Sequence, residues 1–432
     1  MRKVTTCLYL FLMSFIGNAQ NTLRLPDAVN IALKNSLDIQ LATNGLEANT
    51  ILNNYGVAGG MPLVSASLTN TEQLSSINQK LNTGTTISRD AAAVNNLNTN
   101  IAGSILLYNG KRVVATKSRL AQLQKQSQSL LNSQIQNIMG AVMTGYYDIV
   151  RQQSYLKTIE RSIEASKQQL EIVQTSQKVG LANNADLFQA QIDLNALQQA
   201  FVSQQLIIDQ AKTELLRLLT LKADSVIIIT DTILVDKSVT IDQVLNNLNQ
   251  NADIIAAQDQ IRINELIVKE TAAQKYPSVR ANAGYNFNRN QAAAGQLLLN
   301  QNYGPSAGLT IGIPIYNGSV FRRQQKVAEI NVANATLSKE ILIRDYRAQV
   351  VRSFQSYIST LNQLETEQKN YSLSNQLLEL ALKRFQYKQA TIVDVKNAQQ
   401  SFEESGYRLV NLNFAAKSAE IELKRLANQL SL

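Results

Sequence analysis

Apolar residues recur at every seventh position over long stretches of this chain. Three stretches keep this step: Ile135, Val142, Ile149, Leu156, Ile163 and Leu170; Leu187, Leu194, Phe201, Ile208 and Leu215; Val395, Phe402, Leu409, Ala416, Leu423 and Leu430. A sustained step of seven is typical of helices that pack as coiled coils. No proline interrupts residues 63–276 or 315–432, as long continuous helices require.

The breaks in this helical pattern indicate where the chain turns back. The first long helix is predicted to run from near Lys111 to about Lys178. Turns are predicted at 179–186 and at 388–394, where the periodic pattern stops and resumes. The sequence therefore predicts two antiparallel helical hairpins.

Apolar residues alternate with small polar ones in four shorter stretches, which predicts strands of about 10 residues. These stretches are 62–70, 98–107, 278–288 and 306–315, and the residues between them, 71–97 and 288–302, are predicted to form flexible loops. One face of each strand is apolar, and the other carries Asn, Ser, Gly and Thr. This pattern fits a sheet packed on a soluble core, and it also fits a membrane barrel with a wet lumen.

The chain contains an internal repeat. Tyr108-Asn109-Gly110 recurs as Tyr316-Asn317-Gly318, and Asp186 recurs as Asp394, each after 208 positions. Upstream, Pro62 corresponds to Pro277 after 215 positions. Both Tyr-Asn-Gly corners are predicted to turn a strand into a helix at the rim between membrane and periplasm, because tyrosine suits an interface and Asn-Gly permits the change of backbone. Pro62 and Pro277 mark the opposite corners, where a helix leads into a strand.

These landmarks predict how the chain is divided. Residues 1–19 resemble a cleaved secretory signal, with a basic pair, an apolar run and small residues before the cut. The first repeat is predicted at 20–222 and the second at 239–432. The segment 223–238 between them is rich in β-branched residues and is predicted to contain a short strand.

Composition argues against several classes of function. The chain has no His, and its one Cys lies within the predicted signal, so triads, thiol chemistry and the usual zinc sites are not expected. No glycine-rich nucleotide motif is present, and we expect no enzyme activity, cofactor or metal. Lys and Arg outnumber Asp and Glu by 41 to 32, but they are scattered along the chain, and nucleic acid is not an expected partner.

Four strands cannot close a barrel, because the smallest outer-membrane barrels use about eight. If the strands face lipid, several chains must combine them, and three chains would give about twelve strands with room for water. The polar helices would then lie on the periplasmic side. The alternative interpretation is an exported coiled-coil structural protein with a soluble sheet.

The order of LPDAVNIALKNS, paired strands ending in YNG, and turns reading VGLANNADLFQAQ and TIVDVKNAQ resembles the TolC-type outer-membrane efflux duct family. The resemblance implies an α+β fold whose homotrimer forms a 12-stranded barrel in the Gram-negative outer membrane, continued by a coiled-coil tunnel in the periplasm. It implies a passive exit duct for efflux or type I secretion. The implied partners are outer-membrane lipid, a periplasmic adaptor (membrane fusion) protein and an inner-membrane pump of the RND, ABC or MFS class.

The resemblance also implies a gate at the helical turns. Asp186 and Asp394 match aspartates of the family's tip constriction, whereas Asn397 replaces a second acid one helical turn after Asp394. The residues themselves also support another role, since Thr391 with Asp394 forms a capping box and Asp186 lies in the first turn of a helix.

A docking surface for the adaptor is implied beside the gate. Val179, Gly180 and Leu181 match the family's docking turn, and Lys388 occupies the position that corresponds to Gly180. Gly180 also suits the left-handed residue that ends many helices.

Overall fold

Each half of the chain forms the same series of helices and strands in a computed structural model that describes residues 22–431. The predicted signal peptide, 1–19, lies outside the described residues. The first half contains α1 (Leu25–Asn35), α2 (Leu37–Leu52), β1 (Leu63–Lys80), β2 (Thr86–Tyr108), α3 (Arg112–Lys178) and α4 (Asn184–Leu218). The second half contains α5 (Ile241–Asn247), a 3-10 turn (Leu248–Gln250), α6 (Ala252–Ala273), β3 (Ser278–Ala292), β4 (Leu299–Gly312), α7 (Val320–Gln386) and α8 (Ile392–Leu426).

The two helical hairpins have equal lengths. Helices α3 and α7 each span 67 residues, and α4 and α8 each span 35. The step of seven lies on the packed side of these helices, as the sequence predicts. Its fully or nearly fully buried members are Val142, Ile149, Ile208, Leu215, Val395, Phe402, Ala416, Leu423 and Leu430. Among the described residues, no helix combines the length and the apolar character needed to cross a membrane.

One compact unit lies within residues 22–44, 129–255 and 341–431. It contains α4, α8 and the parts of α3 and α7 nearest to them in the chain, together with their hydrophobic cores. Tyr146 of α3 is fully buried there, next to Val142 and Ile149. Its hydroxyl oxygen lies 2.5 Å from a carboxylate oxygen of Asp231 and 2.9 Å from the Leu23 carbonyl oxygen, so the one hydroxyl proton has an acceptor in either direction. Tyr357 of α7 is the centre of a second core cluster.

Within the described residues, the linking segment 223–238 forms a single bridge, between Thr22 and Ile228, which corrects the prediction of a short strand. Some of its β-branched residues bury their side chains, Ile227 and Ile229 among them. Its end is fixed by charge, since Asp236 pairs with Lys424 at 2.9 Å. Hydrogen bonds from Ser238, and then from Lys424, hold the pKa of Asp236 below its ordinary value.

The second unit, residues 45–128 and 256–340, contains one antiparallel sheet in the order β1-β2-β3-β4. Cross-strand partners share a face, and the register pairs Ala66 with Ile101 and Ile101 with Tyr285. The face with these residues is apolar; it also includes Val64, Leu68, Ile105, Val279, Ala281, Phe287, Tyr303, Ala307, Leu309 and Ile311.

The opposite face of the sheet is polar and carries amides and hydroxyls. Asn288 donates to Asn302 at 3.0 Å, and Asn282 donates to the Thr310 hydroxyl at 2.8 Å across the strands. Strands β1 and β4 are each paired on one side only, so the sheet has two open edges.

The strands are longer than the sequence predicts, at 18, 23, 15 and 14 residues. The predicted loops 71–97 and 288–302 are therefore wrong, because most of their residues continue the strands and only 81–85 and 293–298 turn. The extensions carry apolar residues such as Leu74, Ile77 and Val94, but these do not alternate regularly with polar ones, so the pattern does not mark them as strands. In contrast, β4 ends at Gly312, before the predicted end at residue 315, because Pro314 has no N–H to continue a ladder.

The two Tyr-Asn-Gly corners lie at the same end of this sheet. Tyr108 is the last residue of β2, and Tyr316 follows the end of β4. Asn109 and Asn317 come next, and then Gly110 and Gly318, with φ of 66° and 64°. Gly110 has a further reason to be glycine, because a Cβ there would lie 2.6 Å from the Cβ of Tyr276. Pro62 and Pro277 directly precede β1 and β3.

Candidate functional site at the helical tips

The turn that joins α3 to α4, residues 179–183, is called here the first tip. Gly180 has a φ of 75°, in the left-handed region. The Gly180 N–H donates to the Gln177 carbonyl at 2.9 Å, and the Leu181 N–H donates to the Ser176 carbonyl at 2.8 Å. These two bonds are a Schellman motif, which pairs carbonyls that the end of a helix leaves free.

The second tip, residues 387–391, joins α7 to α8 with the same motif. Lys388 has a φ of 62°, its N–H donates to the Phe385 carbonyl at 3.1 Å, and the Gln389 N–H donates to the Arg384 carbonyl at 2.8 Å. Lys388 thus adopts the conformation of Gly180 although it has a side chain. Its ammonium group donates to the Ser176 hydroxyl of the other hairpin.

Reciprocal capping boxes begin both returning helices. The Asp186 N–H donates to Asn183 Oδ1 at 2.8 Å, and the Asn183 N–H donates to Asp186 Oδ2 at 3.4 Å. The same exchange joins Thr391 and Asp394, at 3.2 Å and 2.7 Å. The box of Asn183 with Asp186 was missed from the sequence, although Asn followed by Asp three positions later carries the signal.

The gate candidates are accessible. Asp394 and Asn397 are exposed and Asp186 is half-buried. The bonds from the Thr391 backbone and then from its hydroxyl hold the pKa of Asp394 below its ordinary value, so the carboxylate keeps its charge over a wider range of acid pH. Among the described residues, no hydrogen bond or ion pair links Asp186 directly to Asp394.

Apolar side chains are exposed at both tips. Val179 is 66% exposed and Leu181 69% exposed at the first tip. At the second tip Tyr387, which corresponds to Val179, is 72% exposed, and Val393 is exposed as well. Sequence reasoning did not single out Tyr387 or Val393; the equivalence of Val179 with Tyr387 in the repeat could have found the first.

Polar contacts join the two hairpins close to the tips. Lys396 of α8 pairs with Asp193 of α4 at 2.9 Å, and Arg161 of α3 pairs with Glu379 of α7 at 3.0 Å. An open groove between α3 and α7 lies beside the second pair and is lined by Glu171 and Lys383, among others. Within residues 22–431, no group of His, Cys, Asp and Glu side chains is arranged to hold a metal ion.

Comparison with known proteins identifies a family whose model matches this chain. The model of the family described as outer membrane efflux protein matches residues 28–220 and 244–429, which is most of the chain. A comparison with curated proteins gave no match.

Solved structures share the fold at low identity. The outer membrane protein VceC from Vibrio cholerae has a TM-score of 0.77 at 18% identity, over 94% of this chain and 96% of that one. The outer-membrane channel OprN gives 0.78 at 14% identity, over 94% and 90%. The CmeC outer membrane channel of Campylobacter jejuni gives 0.75 at 14% identity, over 94% and 85%.

The fold class expected from the sequence is confirmed, and a barrel built from three such sheets is consistent with these channels. The resemblance noted from the sequence is also confirmed by the family match. The chain belongs to the outer membrane efflux protein family, and it is an outer-membrane protein of the kind that provides an exit duct for efflux.

Proposed function

We propose that three copies of this protein form the passive exit duct of a tripartite efflux or type I secretion assembly. The observation that carries the proposal is the four-stranded sheet with one apolar face, one polar face and two open edges. In hydrocarbon each unpaired backbone group at β1 and β4 would cost several kcal/mol. Three copies would pair these edges in a ring of about twelve strands, which is wide enough to enclose water.

Unpartnered apolar stripes on the helices support the same assembly. Their members recur at helical steps along one side of α4 and of α7 and are exposed in the single chain: Phe188, Ile192, Val202 and Leu206 on α4; Leu373, Leu377 and Leu380 on α7. Stripes of this kind are the seams along which coiled coils pack. We propose that α4 of one copy packs against α7 of the next, so that the tunnel closes as a ring.

The tips supply the proposed contacts with partners. The exposed Val179 and Leu181 beside the side-chain-free Gly180 offer an apolar surface to the hairpin of a periplasmic adaptor, which in turn engages an inner-membrane pump of the RND, ABC or MFS class. Lys388 makes the corresponding surface of the second tip bulkier and positively charged. Asp394, with Asp186, is proposed to line a cation-sensitive constriction when three copies surround one axis.

The test begins with the protein extracted from outer membranes in detergent. We expect a trimer by native mass spectrometry and ion conductance in planar bilayers, and we expect the gene to restore export in a strain that lacks its efflux duct. Val202→Asp combined with Leu206→Asp should yield monomers, because it places charge in the α4 seam. The matched control on the same helix, Ser203→Asp with Gln205→Asp, should stay trimeric, since both positions are exposed and polar. A monomeric, water-soluble wild-type protein without conductance would refute the proposal.

A further inference from the structure

At the end of the sheet where the strands join the helices, residue types follow one another in the same order more than once. Residues 105–112 read ILLYNGKR, and 313–323 read IPIYNGSVFRR. In both, apolar residues are followed by a tyrosine and then by basic residues. The entry to β3 has the same order in reverse, with Lys275, then Tyr276, then Val279 on the apolar face. Three crossings therefore pass from apolar to aromatic to basic as they leave the sheet.

The antiparallel register brings these three crossings to one end of the sheet. Tyr108 pairs with Val279, and Ser278 pairs with Gly312. Gly110 lies against Tyr276, and the Lys275 ammonium group donates to Gln325 of α7 at 2.5 Å. The basic residues are thus neighbours on one rim and not only similar in sequence. We call this set the basic collar: Lys111, Arg112, Lys275, Arg322 and Arg323.

Within residues 22–431 no salt bridge neutralises a charge of the collar, although the carboxylate of Glu329 on α7 interacts with Lys275 at longer range. All five side chains are exposed. Among residues 22–431 none of the five forms an ion pair, and the crossing segments 109–112, 275–280 and 316–326 contain no acidic residue. Exposed tyrosines lie between the collar and the apolar face: Tyr108, Tyr276 and Tyr316.

The opposite end of the sheet lacks this arrangement. There the charged residues are of both signs: Glu72, Lys80, Arg89, Asp90 and Arg289. A general tendency towards basic surfaces would have placed similar charge at both ends. The positive charge is therefore concentrated at the end of the sheet from which the helices leave.

We propose that the basic collar binds the phosphate headgroups of acidic phospholipids in the leaflet next to the helices. The inference rests on the proposed function in one respect, that the apolar face lies in a membrane. Tyrosine is favoured at the boundary of the hydrocarbon, and Lys and Arg extend from there to the headgroups. A cluster of four to eight basic residues at a membrane surface is the usual signature of attraction to acidic lipid. The collar would set the depth of the barrel and hold it against axial force from the helices.

One further basic residue near this rim serves as an internal control. Arg280 lies on the polar face of β3 and donates to the Ser104 hydroxyl at 3.3 Å. That face is the lumen side in the proposed barrel, so Arg280 is separated from lipid by the sheet. Neutralising Arg280 should leave the lipid preference unchanged.

The experiment measures which lipids remain on the purified trimer. Detergent-solubilised protein is mixed with equal amounts of phosphatidylglycerol and phosphatidylcholine, and bound lipids are counted by native mass spectrometry. We expect wild type to retain phosphatidylglycerol over phosphatidylcholine by at least about threefold, and less in high salt. The variant Lys111→Gln/Arg112→Gln/Arg322→Gln/Arg323→Gln should bind both lipids about equally.

Two matched variants exclude a general effect of charge. Lys157→Gln/Lys167→Gln/Lys222→Gln/Lys237→Gln removes four exposed charges from the other compact unit, and Arg280→Gln removes the charge on the polar face. Both should keep the wild-type preference. A collar variant that retains the preference, or a wild type without one, overturns the inference. Trimer mass and conductance are measured on every sample, so a conducting trimer without lipid preference refutes only the collar, whereas a wild type that neither trimerises nor conducts refutes the proposed duct.

Discussion

The two tips build the same turn from different residues. Gly180 and Lys388 have φ of 75° and 62°, and each ends its helix with the same pair of backbone hydrogen bonds. Glycine is therefore not required for the turn, because the hairpin geometry imposes the left-handed conformation even on a lysine. The difference lies in what each tip presents. The first tip leaves bare backbone between Val179 and Leu181, whereas the second directs an ammonium group to Ser176 of the neighbouring hairpin.

The largest expected effect comes from giving the first tip a large side chain. A Cβ at Gly180 would meet no atom within 4 Å, and the left-handed backbone would cost a leucine about 1 kcal/mol, so Gly180→Leu should leave the trimer folded while it obstructs the proposed docking surface. We expect drug resistance in a complemented strain to fall at least about tenfold, since a lost contact of about 1.4 kcal/mol already has that effect on affinity. Lys388→Leu is the matched change at the second tip and should cost much less. Equal resistance in wild type and Gly180→Leu would exclude docking at this turn.

The next largest effect is expected from variants that distinguish the charge of Asp394 from its role in capping α8. Asp394→Asn keeps an acceptor for the Thr391 N–H but removes the charge, so it should weaken block by multivalent cations several-fold in single-channel recordings. Asn397→Asp should strengthen the block, because it adds an acid one helical turn away. The pKa of Asp394 lies below its ordinary 3.8. The block should therefore persist as pH falls to that value and fade only in more acid solution. Cation block unaffected by Asp394→Asn would remove the gate role.

The caps have smaller and more local effects. Thr391→Ala and Asn183→Ala each remove the side chain that accepts the N–H of an aspartate. Each change should lower the local stability of its tip by about 1 kcal/mol. Hydrogen exchange of the first turns of α8 and α4 measures this, with faster exchange confined to the altered tip. Equal acceleration at both tips would show that the caps are not independent.

The smallest effect is expected from making the second tip resemble the first. Lys388→Gly relieves the backbone strain of a left-handed residue that is not glycine, which is worth about 1 kcal/mol. It also removes the hydrogen bond from the Lys388 ammonium group to Ser176. A net stabilisation below about 1 kcal/mol should appear as slower exchange in the last turn of α7. Ser176→Ala in the wild-type background removes the contact alone and should have the opposite sign. Faster exchange in Lys388→Gly would show that the contact outweighs the strain.

Much of the fold could be predicted from the sequence because its signals are local and repeated. The step of seven located α3, α4 and α8, and the Tyr-Asn-Gly corners located the ends of the sheet. The gate and docking residues lie at the tips where the repeat places them, but their functions stay predictions. The boundaries at 20–222, 223–238 and 239–432 also stay predictions.

The sequence predictions failed where the pattern of apolar and polar residues does not coincide with backbone pairing between strands. The strands extend through residues 71–80 and 86–97 because the two backbones of the hairpin stay paired there, although apolar and polar residues do not alternate regularly. Within the described residues, the β-branched segment 223–238 forms one isolated bridge and no longer strand ladder. Strand length and pairing depend on which backbone lies alongside, and composition does not encode that.

Periodicity and local turn residues by themselves determined the duplicated plan, the coiled helices and the positions of the two tips, since these depend on residues near one another in the chain. Only the tertiary structure decided that the Lys388 ammonium group reaches Ser176 of the other hairpin, and that basic residues from three distant crossings meet on one rim. Those features arise when segments about two hundred residues apart are brought into contact by the register of the sheet and the packing of the hairpins.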